Sequence, residues 1–237
     1  MQFLILILLL AFLIFLFCLY LLAKEELVFV RKNITLEALF NLAFLTGFVG
    51  LFSARLLFVI LNPSRDYLNP LVFLLFPYFP GLSLVGGIVG GMSFLFYYGK
   101  LKKWPTGRIF DYFSLALLAS LPFGYLGTQV INQMGDLFVL IMMPLIYGAT
   151  LIFFVKILVP LNVRGEIKDG SLGFLFLMVF SFISLLANIV RSDDTLSFLL
   201  KIDTILMLLL FFSALALLFV QERGAKRNKK IDRKVSE

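Results

Sequence analysis

The stretch PGLSLVGGIVGGMSFLFYYGK, residues 80–100, is apolar enough to lie in a bilayer, yet it contains a proline and a crowd of glycines. Glycine costs about 1 kcal/mol relative to alanine in a helix interior, so these glycines need a reason. They form the pairs Gly86/Gly90 and Gly87/Gly91, and positions four apart share one helix face. We expect a flat helix-packing groove where another backbone approaches closely. The alternative is a thin-walled cleft for a lipid head group or acyl chain.

The composition of the whole chain indicates a membrane protein. Of its 237 residues, 61% are hydrophobic, and the mean hydropathy is +1.03. Soluble domains contain roughly 45–50% apolar residues. Histidine is absent and Cys18 is the single cysteine, so the commonest general base, a cysteine-rich metal site and an intramolecular disulfide are excluded. We expect no metal and no cofactor.

The length of the apolar segments predicts an all-α integral membrane protein. A spanning helix needs about 20 apolar residues, and the chain offers seven such candidates. They are residues 2–22, 38–61, 82–99, 109–132, 137–159, 170–190 and 197–220. The run NPLVFLLFPYFP, residues 69–80, is too short to span and contains Pro77, which breaks a helix interior. We therefore predict a seven-helix bundle with a short interfacial or re-entrant segment before the third helix.

The distribution of lysine and arginine predicts the orientation, because cytoplasmic loops carry an excess of both. With the N-terminus outside, the inside connectors contain Lys24, Arg31, Lys32, Lys100, Lys102, Lys103, Arg108, Lys156, Arg164 and Lys168. The outside connectors contain only Arg65, Arg191 and Lys201. We predict a transmembrane domain over residues 1–221 and a basic cytoplasmic tail over residues 222–237. Such a tail is attracted to anionic lipid heads, and no folded basic surface accompanies it to favour nucleic acid.

Three sequence patterns in the middle of the chain resemble bacterial prolipoprotein diacylglyceryl transferases. SARLLFVILNPSRDYLNPL is similar to the family's GGRxGYVxFYN and the xxPL that follows. PGLSLVGGIVG is similar to GGMSFHGGLLG, and LPFGYLGTQVINQMGD is similar to IPxGxxxGRxGNFxNGE. The resemblance extends over about residues 37–220. The retained positions are Arg55, Asn62, Asn69, Pro70, Gly81, Ser83, Gly86, Gly87, Gly90, Pro122, Gly124 and Asn132.

The chain departs from the family pattern where the family has charged or titratable groups. The family histidine falls on Val85 and the signature arginine falls on Gln129. The family's QLYE appears as LIYG, which keeps Tyr147 but replaces the carboxylate with Gly148. The large insert between the fourth and fifth helices is reduced to NQMGD. These departures leave the catalytic residues of this chain unknown.

The resemblance places a lipid-binding site around Arg55, with Ser83, Gln129 and Asn132 as neutral hydrogen-bonding neighbours. Arg55 lies about 9 Å inside the outer end of its helix, at 1.5 Å per residue from Leu61. A charge inside a membrane span is costly, so it indicates a functional site. A lipid phosphate is the expected partner. The alternative is a side chain that snorkels to the outer head groups.

Two functions follow from the resemblance, and a third comes from another class. The first is transfer of diacylglycerol from phosphatidylglycerol to a lipobox cysteine in a bacterial-type plasma membrane. The second is a catalytically degenerate family member that binds a phospholipid or a prolipoprotein signal peptide without turnover. The third, a small transporter or channel, is weakened by the lack of an internal repeat and by the few charges within the spans.

Overall fold

The structure, a computed structural model, describes residues 2–24, 26–63, 67, 73, 81–131, 137–190 and 202–235. No strand occurs in these ranges, and seven helices within them are long and apolar enough to cross a membrane. This confirms the predicted all-α membrane fold. The segment over residues 69–80, predicted as interfacial or re-entrant, lies outside the described residues except for Phe73.

The helices follow the predicted order along the chain. They are α1 (Gln2–Ala23), α2 (Leu27–Arg31), α3 (Leu36–Leu61), α4 (Leu84–Leu101), α5 (Thr106–Ile131), α6 (Leu137–Phe153), α7 (Val159–Val163), α8 (Ser171–Val190) and α9 (Ile202–Val235). A π-helical turn, Phe154–Leu158, joins α6 to α7. Side-chain caps begin two of the spanning helices: Thr35 accepts a hydrogen bond from the Ala38 N–H, and Ser83 accepts one from the Gly86 N–H.

The π-helical turn has a cause in the sequence. Pro160 has no N–H to donate, and in an α-helix its ring would clash with the carbonyl of Lys156, four residues earlier. The backbone widens instead, and the Val159 N–H donates to the carbonyl of Phe154, five residues back. The helical path therefore continues to Val163 rather than ending at the proline.

The chain divides into two compact units, the first formed by residues 1–106 and 116–148. Its centre is the antiparallel pair α3 and α4. The Gly50 position faces the Gly87 carbonyl, and the Gly91 position faces Thr46, so the chain direction reverses between the two helices. Helix α1 packs on α3 through Phe12 and Phe44, whose ring centroids are 5.2 Å apart.

The second unit contains residues 107–115 and 149–237. Helices α8 and α9 pack antiparallel along their lengths. At one end the Ser171 hydroxyl donates to Glu222 at 2.7 Å, and farther along the rings of Phe182 and Phe211 lie 6.5 Å apart. The start of α5 joins this pair through Phe110, whose ring centroid lies 5.2 Å from that of Phe174.

Candidate functional site

Arg55 is a buried cation inside the span of α3, with 2% of its surface exposed. Its Nε donates to the carbonyl of Phe73 at 3.1 Å, and one Nη donates to the carbonyl of Gly81 at 2.8 Å. The guanidinium carbon lies 5.1 Å from the ring centroid of Tyr67 and 5.8 Å from that of Phe58. Carbonyl oxygens and aromatic faces both stabilise a guanidinium away from water. The side chain is therefore held inside the protein rather than extended to solvent.

Ser83 fixes the start of α4 beside Arg55. Its backbone N–H donates to the carbonyl of Ala54 at 3.0 Å, and its hydroxyl oxygen caps the helix by accepting from the Gly86 N–H at 3.3 Å. Gly81, which accepts from Arg55, has φ +150° and faces the ring of Phe58 so closely that a Cβ would overlap it. Only glycine fits such a position at low cost.

The arrangement brings two sources of positive potential together. The guanidinium carries a full charge, and the start of the 18-residue helix α4 carries the partial positive charge of a helix N-terminus. Both features attract an anionic oxygen such as one of a lipid phosphate. Val85, in the first turn of α4, is buried and apolar, so this turn holds no group that can accept a proton.

The other two predicted site residues are not described in the same detail. Gln129 belongs to helix α5, but its side chain lies outside the described part of the structure. Asn132 lies outside the described residues altogether. A role for these two residues beside Arg55 stays a prediction.

Comparison with known protein families places the chain. A family model described as prolipoprotein diacylglyceryl transferase matches residues 4–220, which is most of the chain. The chain belongs to this family. No curated protein matches the chain significantly. Prolipoprotein diacylglyceryl transferases act on lipid and lipoprotein substrates, and the seven apolar helices agree with a multi-pass membrane protein of that family.

Four of the five glycines of α4, Gly86, Gly87, Gly90 and Gly91, lie against α3 in this prolipoprotein diacylglyceryl transferase family member. A Cβ at Gly86 would stand 2.7 Å from the Cβ of Leu57 and 2.8 Å from the Ser53 carbonyl oxygen. A Cβ at Gly90 would overlap the Ser53 side chain, whereas Gly87 and Gly91 have ordinary contacts of 3.4 Å. Helix α3 therefore occupies this face of α4, and the glycines permit a close approach of two backbones.

Tyr147, which the chain shares with the family's QLYE pattern, is fully buried in α6. Its ring stacks on that of Tyr125 in α5, with centroids 5.1 Å apart and an interplanar angle of 20°. At Gly148, where the family has its carboxylate, a Cβ would meet nothing within 4 Å. No other described atom fills the space that a side chain at position 148 would occupy.

Asp111 is a buried carboxylate in the second unit that the sequence analysis missed. Its two oxygens accept hydrogen bonds from the N–H groups of Gly170 at 2.7 Å and Gly173 at 2.8 Å, at the start of α8. One helical turn before it, Arg108 pairs with Asp169 at 2.9 Å and donates to Asn162. The one signal in the sequence was an acid inside the apolar run IFDYF.

Proposed function

We propose that this member of the prolipoprotein diacylglyceryl transferase family binds an anionic phospholipid, phosphatidylglycerol, at Arg55 and transfers its diacylglyceryl group to a lipobox cysteine. The observation that carries the proposal is the buried guanidinium beside the N-terminus of α4. The hydrogen bond from the Ser83 N–H to the Ala54 carbonyl supports the inclusion of Ser83 in the proposed site. Gln129 and Asn132 are proposed as further hydrogen-bonding neighbours of the head group.

The transfer reaction requires deprotonation of the cysteine thiol and stabilisation of the phosphate leaving group. The cysteine thiol, with an ordinary pKa near 8.5, must lose its proton to water before its sulfur attacks the glyceryl carbon. A C–S bond then forms while the C–O bond to the phosphate breaks, and glycerol phosphate leaves with the bonding electrons. Arg55 would stabilise the negative charge that grows on this leaving group.

A second function, binding without turnover, is favoured by the residues at the family's titratable positions. Val85 cannot accept a proton, and Gly148 brings no carboxylate. Gln129 can donate a hydrogen bond but carries no charge. Removal of a single preorganised donor typically lowers a rate by ~100- to 1,000-fold. In this second function the chain holds a phospholipid or a prolipoprotein signal peptide and releases it unchanged.

A turnover assay separates the two functions. Purified full-length protein, phosphatidylglycerol and a lipobox peptide should yield a thioether-linked diacylglyceryl peptide, detected by mass spectrometry. The same peptide with its cysteine replaced by serine is the matched control and should give no thioether. Correctly folded protein that retains phosphatidylglycerol but forms no product would leave binding without turnover as the function.

Substitutions of Arg55 test whether its charge binds the lipid. Arg55→Gln removes the charge but keeps two N–H donors, so we expect at least tenfold weaker retention of phosphatidylglycerol, because hydrogen bonds to charged groups contribute about 1.5–3 kcal/mol. Arg55→Lys keeps the charge but not the planar fork, and it should retain more lipid than Arg55→Gln. The measurement is lipid bound per protein in native mass spectrometry.

Two outcomes bear on this expectation. Val85→Ala, a substitution in the first turn of α4, should leave lipid retention unchanged and serves as the control. If Arg55→Lys and Arg55→Gln lose lipid equally while both proteins stay folded, the guanidinium acts through its bonds to Phe73 and Gly81 rather than through its charge.

The proposed location is a bacterial-type plasma membrane, with the N-terminus outside and the C-terminus in the cytoplasm. The excess of lysine and arginine on the connectors after α1, α4 and α6 supports this orientation. Residues 222–237 then form a basic cytoplasmic segment, which continues the helical path of α9 as far as Val235.

A further inference from the structure

The short helix α2 exposes an apolar side. It lies between two spanning helices, beginning four residues after Ala23 and ending five residues before Leu36. Phe29 is buried, whereas Leu27 and Val30 are each 68% exposed, and positions three apart lie on one side of a helix. Leu101, the last residue of α4 before the connection to α5, is likewise 63% exposed.

Both connectors belong to the same end of the α3–α4 pair. The two helices are antiparallel, as the facing positions Gly50 with Gly87 and Thr46 with Gly91 establish. The start of α3 at Leu36 and the end of α4 at Leu101 therefore lie at one end of the pair. Since each helix spans a membrane, the exposed side chains of this end stand at the level of the lipid head groups.

Exposed cations lie next in sequence to the exposed aliphatic side chains. Arg31 ends α2 and Lys32 follows it, while Lys102 and Lys103 follow α4, and all four side chains are exposed. Residues 24–37 and 100–104 together contain six cations, Lys24, Arg31, Lys32, Lys100, Lys102 and Lys103, and three carboxylates, Glu25, Glu26 and Glu37. Six positive less three negative charges leaves a net charge of +3. Exposed aliphatic side chains together with a net positive charge at one end of the helix pair match an anionic lipid surface.

Aromatic side chains occupy the same end. The ring of Trp104 lies 5.8 Å from that of Tyr98, and the Lys102 ammonium lies 5.9 Å from the Tyr98 ring. Tryptophan and tyrosine are enriched where membrane proteins meet the head groups. Trp104 is also the single tryptophan of the chain, so its fluorescence reports on this end alone.

We propose that this basic interfacial surface, formed by Leu27, Val30, Leu101, Arg31, Lys32, Lys102 and Lys103, binds anionic phospholipid head groups of the leaflet that it faces. The aliphatic side chains insert among the acyl chains near the head groups, and the four cations recruit the phosphates. This surface is independent of the site at Arg55 and of any transfer reaction. It concentrates anionic lipid around the protein.

Quenching of Trp104 by brominated lipids tests the proposal in the full chain. The protein is placed in phosphatidylcholine vesicles containing either brominated phosphatidylglycerol or brominated phosphatidylcholine at equal mole fraction. We expect stronger quenching by the anionic lipid at low salt. The preference should weaken as the ionic strength rises, because screening shortens the reach of surface charges.

Charge variants make the test specific. Lys102→Gln with Lys103→Gln should lower the preference by about fivefold per cation, and Arg31→Gln with Lys32→Gln should lower it in the same direction. Glu37→Gln, an exposed position at the start of α3, removes a negative charge and should raise it. Glutamine is introduced at every site, so the variants differ in which charge they remove.

Three results would overturn the proposal. The first is equal quenching of the unsubstituted protein by both brominated lipids at low salt. The second is strong quenching by aqueous iodide with none by either brominated lipid, which would place Trp104 in water. The third is an unchanged lipid preference in folded variants that lack the four cations.

Discussion

Replacing Asp111 with alanine should lower the free energy of unfolding by about 2–6 kcal/mol, because two buried N–H groups lose their acceptor at a cost of about 1–3 kcal/mol each. Gly170 precedes the first residue of α8 and has no side chain with which to cap it. Asp111 supplies the missing acceptor from α5, across 59 and 62 residues of sequence, to Gly170 and Gly173. Unfolding in mixed micelles titrated with dodecyl sulfate measures the effect.

Two further substitutions, one at Asp111 itself and one at Asp169, calibrate this result. Asp111→Asn keeps one accepting oxygen, so its effect should fall between those of the alanine variant and the unsubstituted protein. Asp169→Asn removes the ion pair with Arg108, but the Asp169 side chain is 50% exposed, and such pairs are worth about 0–1 kcal/mol. Equal destabilisation by Asp111→Ala and Asp169→Asn would contradict a specific capping role.

The seven spans were predictable because a bilayer makes hydropathy decisive. Every backbone polar group inside the membrane must be bonded within its own helix, so a long apolar segment has few alternatives. The fifth span shows where this reasoning stops. The sequence predicted its end at residue 159, next to Pro160, whereas the π-helical turn relieves the proline and carries the helix to Val163.

The sequence predicted the location of the candidate site but not the groups that contact Arg55. Arg55 is recognisable in the sequence as a charge inside a span, but its acceptors, the carbonyls of Phe73 and Gly81, lie 18 and 26 residues away. Every residue has a backbone carbonyl, so the sequence does not show which carbonyls accept hydrogen bonds from Arg55. Asp111 was missed for the same reason, since its donors are the N–H groups of two distant glycines.

The two findings differ in what they imply for function. Asp111 has both carboxylate oxygens engaged by a helix N-terminus, which indicates a structural role. Arg55 stands beside another helix N-terminus, that of α4, and both the guanidinium and the helix end carry positive potential. A charge opposite in sign to a helix end stabilises the fold, whereas the two positive potentials at Arg55 and at the start of α4 support the proposed binding of an anion.

Replacing Gly86 with alanine should destabilise the protein by about 1–3 kcal/mol, the usual cost of overpacking. The new Cβ would lie 2.8 Å from the Ser53 carbonyl oxygen and 2.7 Å from the Cβ of Leu57. Neither atom is the far end of a flexible side chain, so α3 and α4 must separate. This cost exceeds the gain of up to about 1 kcal/mol in helix propensity. The midpoint of thermal unfolding in detergent should fall.

The same substitution at Gly148 is the matched control, because a Cβ there meets nothing within 4 Å. Gly148→Ala should therefore leave stability unchanged or raise it slightly through helix propensity. Gly87→Ala is intermediate, since its Cβ would make an ordinary 3.4 Å contact with Ala54. If all three variants unfold alike, the glycines of α4 do not set its distance from α3, and the close contact of these two helices does not depend on them.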